Sequence, residues 1–222
     1  MHNWIVSSNV ESASKAAADF MAEKIEQCIA QKNICHVALP GGNTPGKCLN
    51  FLAEKKLPWK QIHWYVGDER CFPKGHAERN DTMLEKELWS KLPASHYYPM
   101  PTELGAEKAA AAYREKVQDI EAFDIVFLGV GEDGHTASLF PGNPALKDER
   151  SVVPVFNSPK PPSDRVSFSL NTLGKAKCRL ILAVGKSKSS ILNKIKQGEG
   201  FPVNRIGDID WFVDQAAIDS HS

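Results

Sequence analysis

The chain has no excess charge of either sign. Its 27 Lys and Arg balance 27 Asp and Glu, so it lacks the broad basic face that binds a nucleic-acid backbone. A local cationic pocket for a small anion remains open. Cysteine is sparse and unpatterned. The five, Cys28, Cys35, Cys48, Cys71 and Cys178, are odd in number, irregularly spaced and free of any C-x-x-C. They fit reduced thiols in a cytoplasmic protein better than a disulfide framework or a zinc site. No apolar run approaches the roughly 18 residues of a membrane span. Met1 to Ser8 has no basic stretch followed by an apolar core, so no secretory leader is expected. Internal repeats, low-complexity tracts and obvious linkers are also missing. One domain over residues 1–222 is the simplest reading, and the length suffices for a well-packed core.

What is present alternates. Glu11 to Gln31 repeats apolar and small residues at helical spacing. Ile34 to Leu39 reads as a strand ending at Pro40-Gly41-Gly42, and Thr44-Pro45 reads as the N-cap and first-turn proline of a helix to about Glu54. A second strand, Ile62 to Val66, stops at Gly67-Asp68-Glu69-Arg70, with a loop from Cys71 to Arg79. Helices are expected near Asp81 to Ser90 and Glu103 to Val117. Phe123 to Val130 has the continuous apolar pattern of a strand buried on both faces. Val152 to Phe156, Arg165 to Leu170, Cys178 to Val184 and Trp211 to Val213 are further strands. Lys186 to Gln197 and Asp214 to Ile218 are further helices. Strands alternating with helices predict an α/β fold, Rossmann-like, with a mostly parallel sheet covered on both faces.

Ligands of such sheets bind outside the carboxyl ends of the strands. Three polar clusters fall there: Gly41-Gly42-Asn43-Thr44, Asp68-Glu69-Arg70 and Asp133-Gly134-His135. Taken singly, each has a plain structural explanation, such as a capped glycine turn or a solvated ion pair. Together they make a site. The first is a glycine loop entering a helix, where backbone N–H groups and the helix end suit a phosphate. Arg70 offers a permanently charged fork for phosphate or a lactone oxygen. His135, beside Asp133, is a candidate base near neutral pH. Later cations, Lys160, Arg165, Lys186 and Lys188, suit an anionic ligand or a solvated face. Gly129 to Gly134 matches G-x-G-x-x-G, but the chain soon reaches Pro141-Gly142, leaving no room for the long helix of a dinucleotide site. No metal-ligand spacing such as H-E-x-x-H occurs. His76, Asp68 and His135 are the one set that folding could assemble, and no metal is expected.

The string Leu128-Gly-Val-Gly-Glu-Asp-Gly-His-Thr-Ala-Ser-Leu-Phe-Pro-Gly142 closely resembles the signature of the 6-phosphogluconolactonases. Further segments agree in order: Gly41 to Pro45, Gly67 to Arg70 with His76 and Asn80, Pro159 to Pro162 with Arg165, and Gly185 to Lys188. The resemblance runs from about Gly41 to Asp210-Trp211. It implies hydrolysis of 6-phospho-D-glucono-1,5-lactone in the oxidative pentose phosphate pathway, with no cofactor and with a small phosphosugar lactone as partner. Pro40 and Asn43 depart from the family, which commonly has Ser before the glycine pair and Ser or Arg after it. A proline at 40 offers no N–H. The related deaminases read Ile-Ala-Phe-Asn-Glu-Pro after Asp-Gly-His. Here Thr136 to Pro141 lacks that glutamate. A non-catalytic sugar-phosphate sensor is a third class, against which His135 argues. The expected roles are His135 as base, Asp133 or Asp68 orienting it, and Arg70 at the developing oxyanion. Gly41, Gly42, Asn43, Thr44, Arg165 and Lys188 would hold the phosphate. A nucleophilic Ser138 is the rival mechanism.

Overall fold

The computed structural model describes residues 2–93 and 95–219. Strand β1 (Asn3–Ser7) leads into α1 (Val10–Lys32). Asn9 caps that helix by accepting the Ser12 N–H at 2.9 Å, and Asn33 in the left-handed region ends it. Between them Ala13, Ala17, Met21, Ile25 and Ile29 are buried at helical spacing, as the sequence pattern requires. Next come β2 (Cys35–Leu39), α2 (Asn43–Ala53), β3 (Ile62–Val66), β4 (Asp68–Arg70), α3 (Asn80–Glu87) and β5 (His96–Tyr98). Helix α4 (Ala106–Val117) precedes β6 (Ile125–Leu128), whose four residues are all buried. The chain closes with β7 (Val152–Val155), β8 (Arg165–Phe168), α5 (Leu170–Lys175), β9 (Cys178–Ala183), α6 (Ser189–Lys196), β10 (Asp210–Asp214) and α7 (Gln215–Ile218). No helix among the described residues is long and apolar enough to cross a membrane.

Seven strands form one parallel sheet in the order β1-β10-β9-β6-β2-β3-β5. From β2 the chain steps outward to β3 and β5. From β6 it steps the other way, to β9 and β10. With right-handed crossovers, α1 to α3 cover one face and α4 to α6 the other. The direction of winding therefore reverses between β2 and β6, which are hydrogen-bonded neighbours.

Three short strands differ from the pattern expected. β4, β8 and β7 make a separate antiparallel sheet in which Asp68 pairs with Ser167 and Arg70 with Arg165. The sequence reading placed Asp68 to Arg70 in a turn after β3, because an all-charged tripeptide has no apolar alternation to read. β1 and β5 were also not anticipated. β1 lies at one edge of the parallel sheet and β5 at the other, with only partly covered side chains. The start of α2 is also corrected. Its N-cap is Gly42 (φ +99°), not Thr44, which lies inside the first turn, while Pro45 sits in that first turn as expected.

Candidate active site

A parallel sheet wound in two directions opens a crevice at the carboxyl ends where the winding reverses. Here that crevice lies between the loop after β2, which carries Gly41 to Thr44, and the loop after β6, which carries Gly129 to His135. A cleft of about 280 Å³ occupies it, lined by both loops together with Asp68, Arg70, Asn80, Lys160, Arg165 and Lys188. All the predicted site residues except Asp133 line this cleft, and Asp133 touches it through His135.

The loop after β6 is folded back on itself. The Gly131 N–H donates to the His135 carbonyl at 2.9 Å, and the Gly134 N–H to the Gly131 carbonyl at 3.0 Å. Gly134 has φ +78°, and the ring of Phe201 lies where its side chain would be. A Cβ on Gly131 would fall 2.0 Å from His135 Nδ1 and 2.5 Å from Asp133 Oδ1. The His–Asp pair thus rests directly on this glycine. His135 Nδ1 lies 2.5 Å from Asp133 Oδ1. A carboxylate there fixes the Nδ1–H tautomer and leaves the Nε2 lone pair free. Burial pushes the His135 pKa below 6.5, against the pull of Asp133, so the ring is neutral at neutral pH. For Asp133, burial works the other way, but the bond to His135 takes the carboxyl below its usual range.

Asp133, not Asp68, is the carboxylate hydrogen-bonded to His135. The Asp68 carboxylate accepts from Ser138 Oγ at 2.6 Å, and Asn80 Nδ2 donates to the Asp68 carbonyl at 2.6 Å. Ser138 is fully buried and its hydroxyl proton is committed to Asp68. It therefore lacks the exposure of a nucleophile, and the group that takes its proton is a carboxylate, not the imidazole of His135.

Three of the cations are held by backbone rather than by carboxylates. Arg70 Nη1 donates to the Glu78 carbonyl at 2.5 Å, and Lys188 Nζ to the Val130 carbonyl at 2.8 Å. Arg165 donates to the carbonyls of Lys160, Pro161 and Pro162, with its guanidinium over the Phe140 ring. That ring also packs against His135, with centroids 4.5 Å apart. Among the described residues, none of Arg70, Lys160, Arg165 and Lys188 forms an ion pair. Burial and the neighbouring Lys160 lower the Lys188 pKa, and Glu132 and Asp133 oppose them. Four cationic side chains and one carboxylate line the cleft, so its charge calls for an anionic guest. Asn80 and Lys160 were left out of the predicted set. Asn80 reaches the site through a turn that no periodicity reveals, while Lys160 reads from the sequence only as a cation suited to an anionic ligand or a solvated face.

His76 does not join Asp68 and His135. Its ring stacks on Phe72, and its Nδ1 accepts the Glu78 N–H at 3.2 Å. A different trio, Cys28, Cys35 and Asp124, gathers its ligand atoms within 4.8 Å at the opposite edge of the sheet. There Asp124 is already paired with Lys32 at 2.8 Å and Lys177 at 3.2 Å. Burial pushes both thiols up, so they stay protonated.

A parallel α/β fold with a crevice at its winding reversal and a hydrogen-bonded His–Asp pair there defines an enzyme-like class of protein. Residues 8–211 match the family described as glucosamine-6-phosphate isomerases/6-phosphogluconolactonase, and the chain belongs to it. The 6-phosphogluconolactonase of Synechocystis is 32% identical over 212 residues, 87% of this chain and 88% of that protein. The crystal structure of the 6-phosphogluconolactonase from Thermotoga maritima superimposes with a TM-score of 0.90 at 27% identity, covering 97% of this chain and 100% of that one. A monomeric glucosamine-6-phosphate deaminase shares the fold, with a TM-score of 0.84 at 20% identity over 97% of this chain and 98% of its own.

Proposed function

We propose that this protein, acting as a single cytoplasmic domain, hydrolyses 6-phospho-D-glucono-1,5-lactone to 6-phosphogluconate. The observation that carries the reading is the neutral, Asp133-oriented His135 inside a cleft lined by unpaired cations. His135 Nε2 takes a proton from water as the water oxygen bonds to the lactone carbonyl carbon. Charge grows on the carbonyl oxygen, where Arg70 stabilises it with its fork of donors. Collapse breaks the bond to the ring oxygen, which takes the proton back from His135 and leaves as a hydroxyl. The 6-phosphate sits on the Gly41 to Thr44 loop at the N-terminus of α2, with Arg165 and Lys188 supplying charge. The irregular, odd cysteine set motivates the cytoplasmic assignment.

The test is an assay of the purified chain on the phospholactone, with spontaneous opening subtracted. Hydrolysis well above background is expected, without ammonia release from glucosamine 6-phosphate. Full activity after exhaustive chelation is expected too, because no step draws on a metal. A rate equal to background at saturating substrate would end this reading.

A further inference from the structure

Glu69 stands beside the site but faces away from it. Side chains alternate along β4, so Asp68 and Arg70 line the cleft while Glu69 turns inward and is fully buried. Its two oxygens gather three backbone N–H groups. Oε1 accepts from Arg70 at 2.8 Å and from Asn80 at 2.7 Å, and Oε2 from Asp81 at 2.8 Å. Asn80 and Asp81 open α3, whose own N-cap, Arg79, makes no side-chain cap. Glu69 therefore caps that helix from a strand earlier in the chain. Asn80 in turn holds the Asp68 carbonyl and packs so tightly on Gly41 that a Cβ there would lie 1.7 Å from Asn80 Oδ1. Among the described residues no cation pairs with Glu69. Burying a carboxylate costs more than burying an amide or an apolar group, so stability alone is a poor reason for it.

We infer that Glu69 is a positioning residue: its carboxylate fixes the backbone of Arg70 on one side and of Asn80 on the other, and so sets the oxyanion cation against the phosphate loop. The inference rests on the lactonase reading of the site. It predicts that Glu69 acts on the reaction only through what it holds. A glutamine can accept with one oxygen but turns an NH₂ toward one of the three donors. Displacing a reacting group by about an ångström costs on the order of a hundredfold.

The experiment combines kinetics with amide hydrogen exchange on the full chain. Glu69→Gln should lower kcat roughly tenfold to a hundredfold while the protein still melts cooperatively. Exchange should quicken at the Arg70, Asn80 and Asp81 amides and stay slow in the parallel sheet. In an Arg70→Ala background, Glu69→Gln should change kcat by less than about threefold, because the group it positions is gone. Glu69→Asp, which keeps the charge but cannot span three amides, carries the same expectations and serves if the glutamine variant does not fold. Near-normal kcat, or an equal loss with and without Arg70, would overturn the inference. Exchange that is unchanged at the three amides, or raised throughout the sheet, would overturn it too. A wild-type chain without lactonase activity would instead sink the functional reading, and the exchange arm would still judge the clamp.

Discussion

The two edges of the parallel sheet each hold a cleft, and the larger is chemically the quieter. At the amino edge a cleft of about 470 Å³ runs past Cys28, Lys32, Asp124, Lys177 and Arg179. Its charges answer one another. Asp124 is paired with two lysines, and two more carboxylates, Asp208 and Asp210, line the same cleft as Arg179. At the carboxyl edge the cleft is only about 280 Å³, but of its four cations Arg70, Arg165 and Lys188 rest on carbonyls, and among the described residues none of the four forms an ion pair. Volume does not locate the chemistry. Uncompensated charge beside a helix N-terminus and an oriented imidazole does.

The sharpest way to break this contrast is His135→Asn, which roughly keeps the shape and removes the base. It should cut kcat by about 10²–10⁴-fold with KM little changed. In the wild type, kcat/KM should hold steady above pH 6.5 and fall as pH drops through the lowered His135 pKa, since only the neutral ring accepts a proton. Steady-state kinetics across pH would show that limb, and the variant should lose it. Normal turnover in the variant would remove the carboxyl edge's claim to the chemistry.

Lys188→Ala should raise KM for the phospholactone roughly tenfold or more, the worth of a charge-assisted contact, and matter less for an unphosphorylated lactone. Equal losses on both substrates would move Lys188 out of the phosphate site.

The smallest catalytic effect should come from the other edge. Asp124→Ala leaves the His36 N–H without its 2.9 Å acceptor and should lower stability by about 1–3 kcal/mol. kcat should stay near normal. Burial opposes Asp124 ionisation, but the His36 N–H and Lys32 outweigh it and hold the pKa below 3.8. A depressed folded pKa means that the stabilisation is complete above 3.8 and is lost as pH falls through the lower folded value. Denaturant melts across acid pH would check it, and a kcat loss rivalling that of His135→Asn would erase the difference between the edges.

Much of this was legible in the sequence because long helices and doubly buried strands carry strong periodicity. α1 and β6 differ from their expected bounds by only a residue or two. The site was legible for a different reason: the glycine loop and the Asp133–His135 pair end the two strands that flank the winding reversal. What escaped depends on contacts distant in sequence. The second sheet joins Asp68–Arg70 to residues nearly a hundred positions later, and nothing in the local sequence states that pairing. The choice between Asp133 and Asp68 as partner of His135 was left open for the same reason. Spacing cannot say which carboxylate a hydroxyl such as Ser138 has already claimed.

The contact between Gly41 and Asn80 constrains how this sequence can drift. Any side chain at position 41 would collide with the carboxamide at 80, so an alanine at 41 requires the Asn80 side chain to move away or to be smaller. Shrinking 80 would also release the Asp68 carbonyl from its 2.6 Å bond. A change at 41 is therefore bound to one at 80, and either removes the hold on Asp68. Among functional relatives of this chain, they should be read as one coupled character rather than as two independent ones.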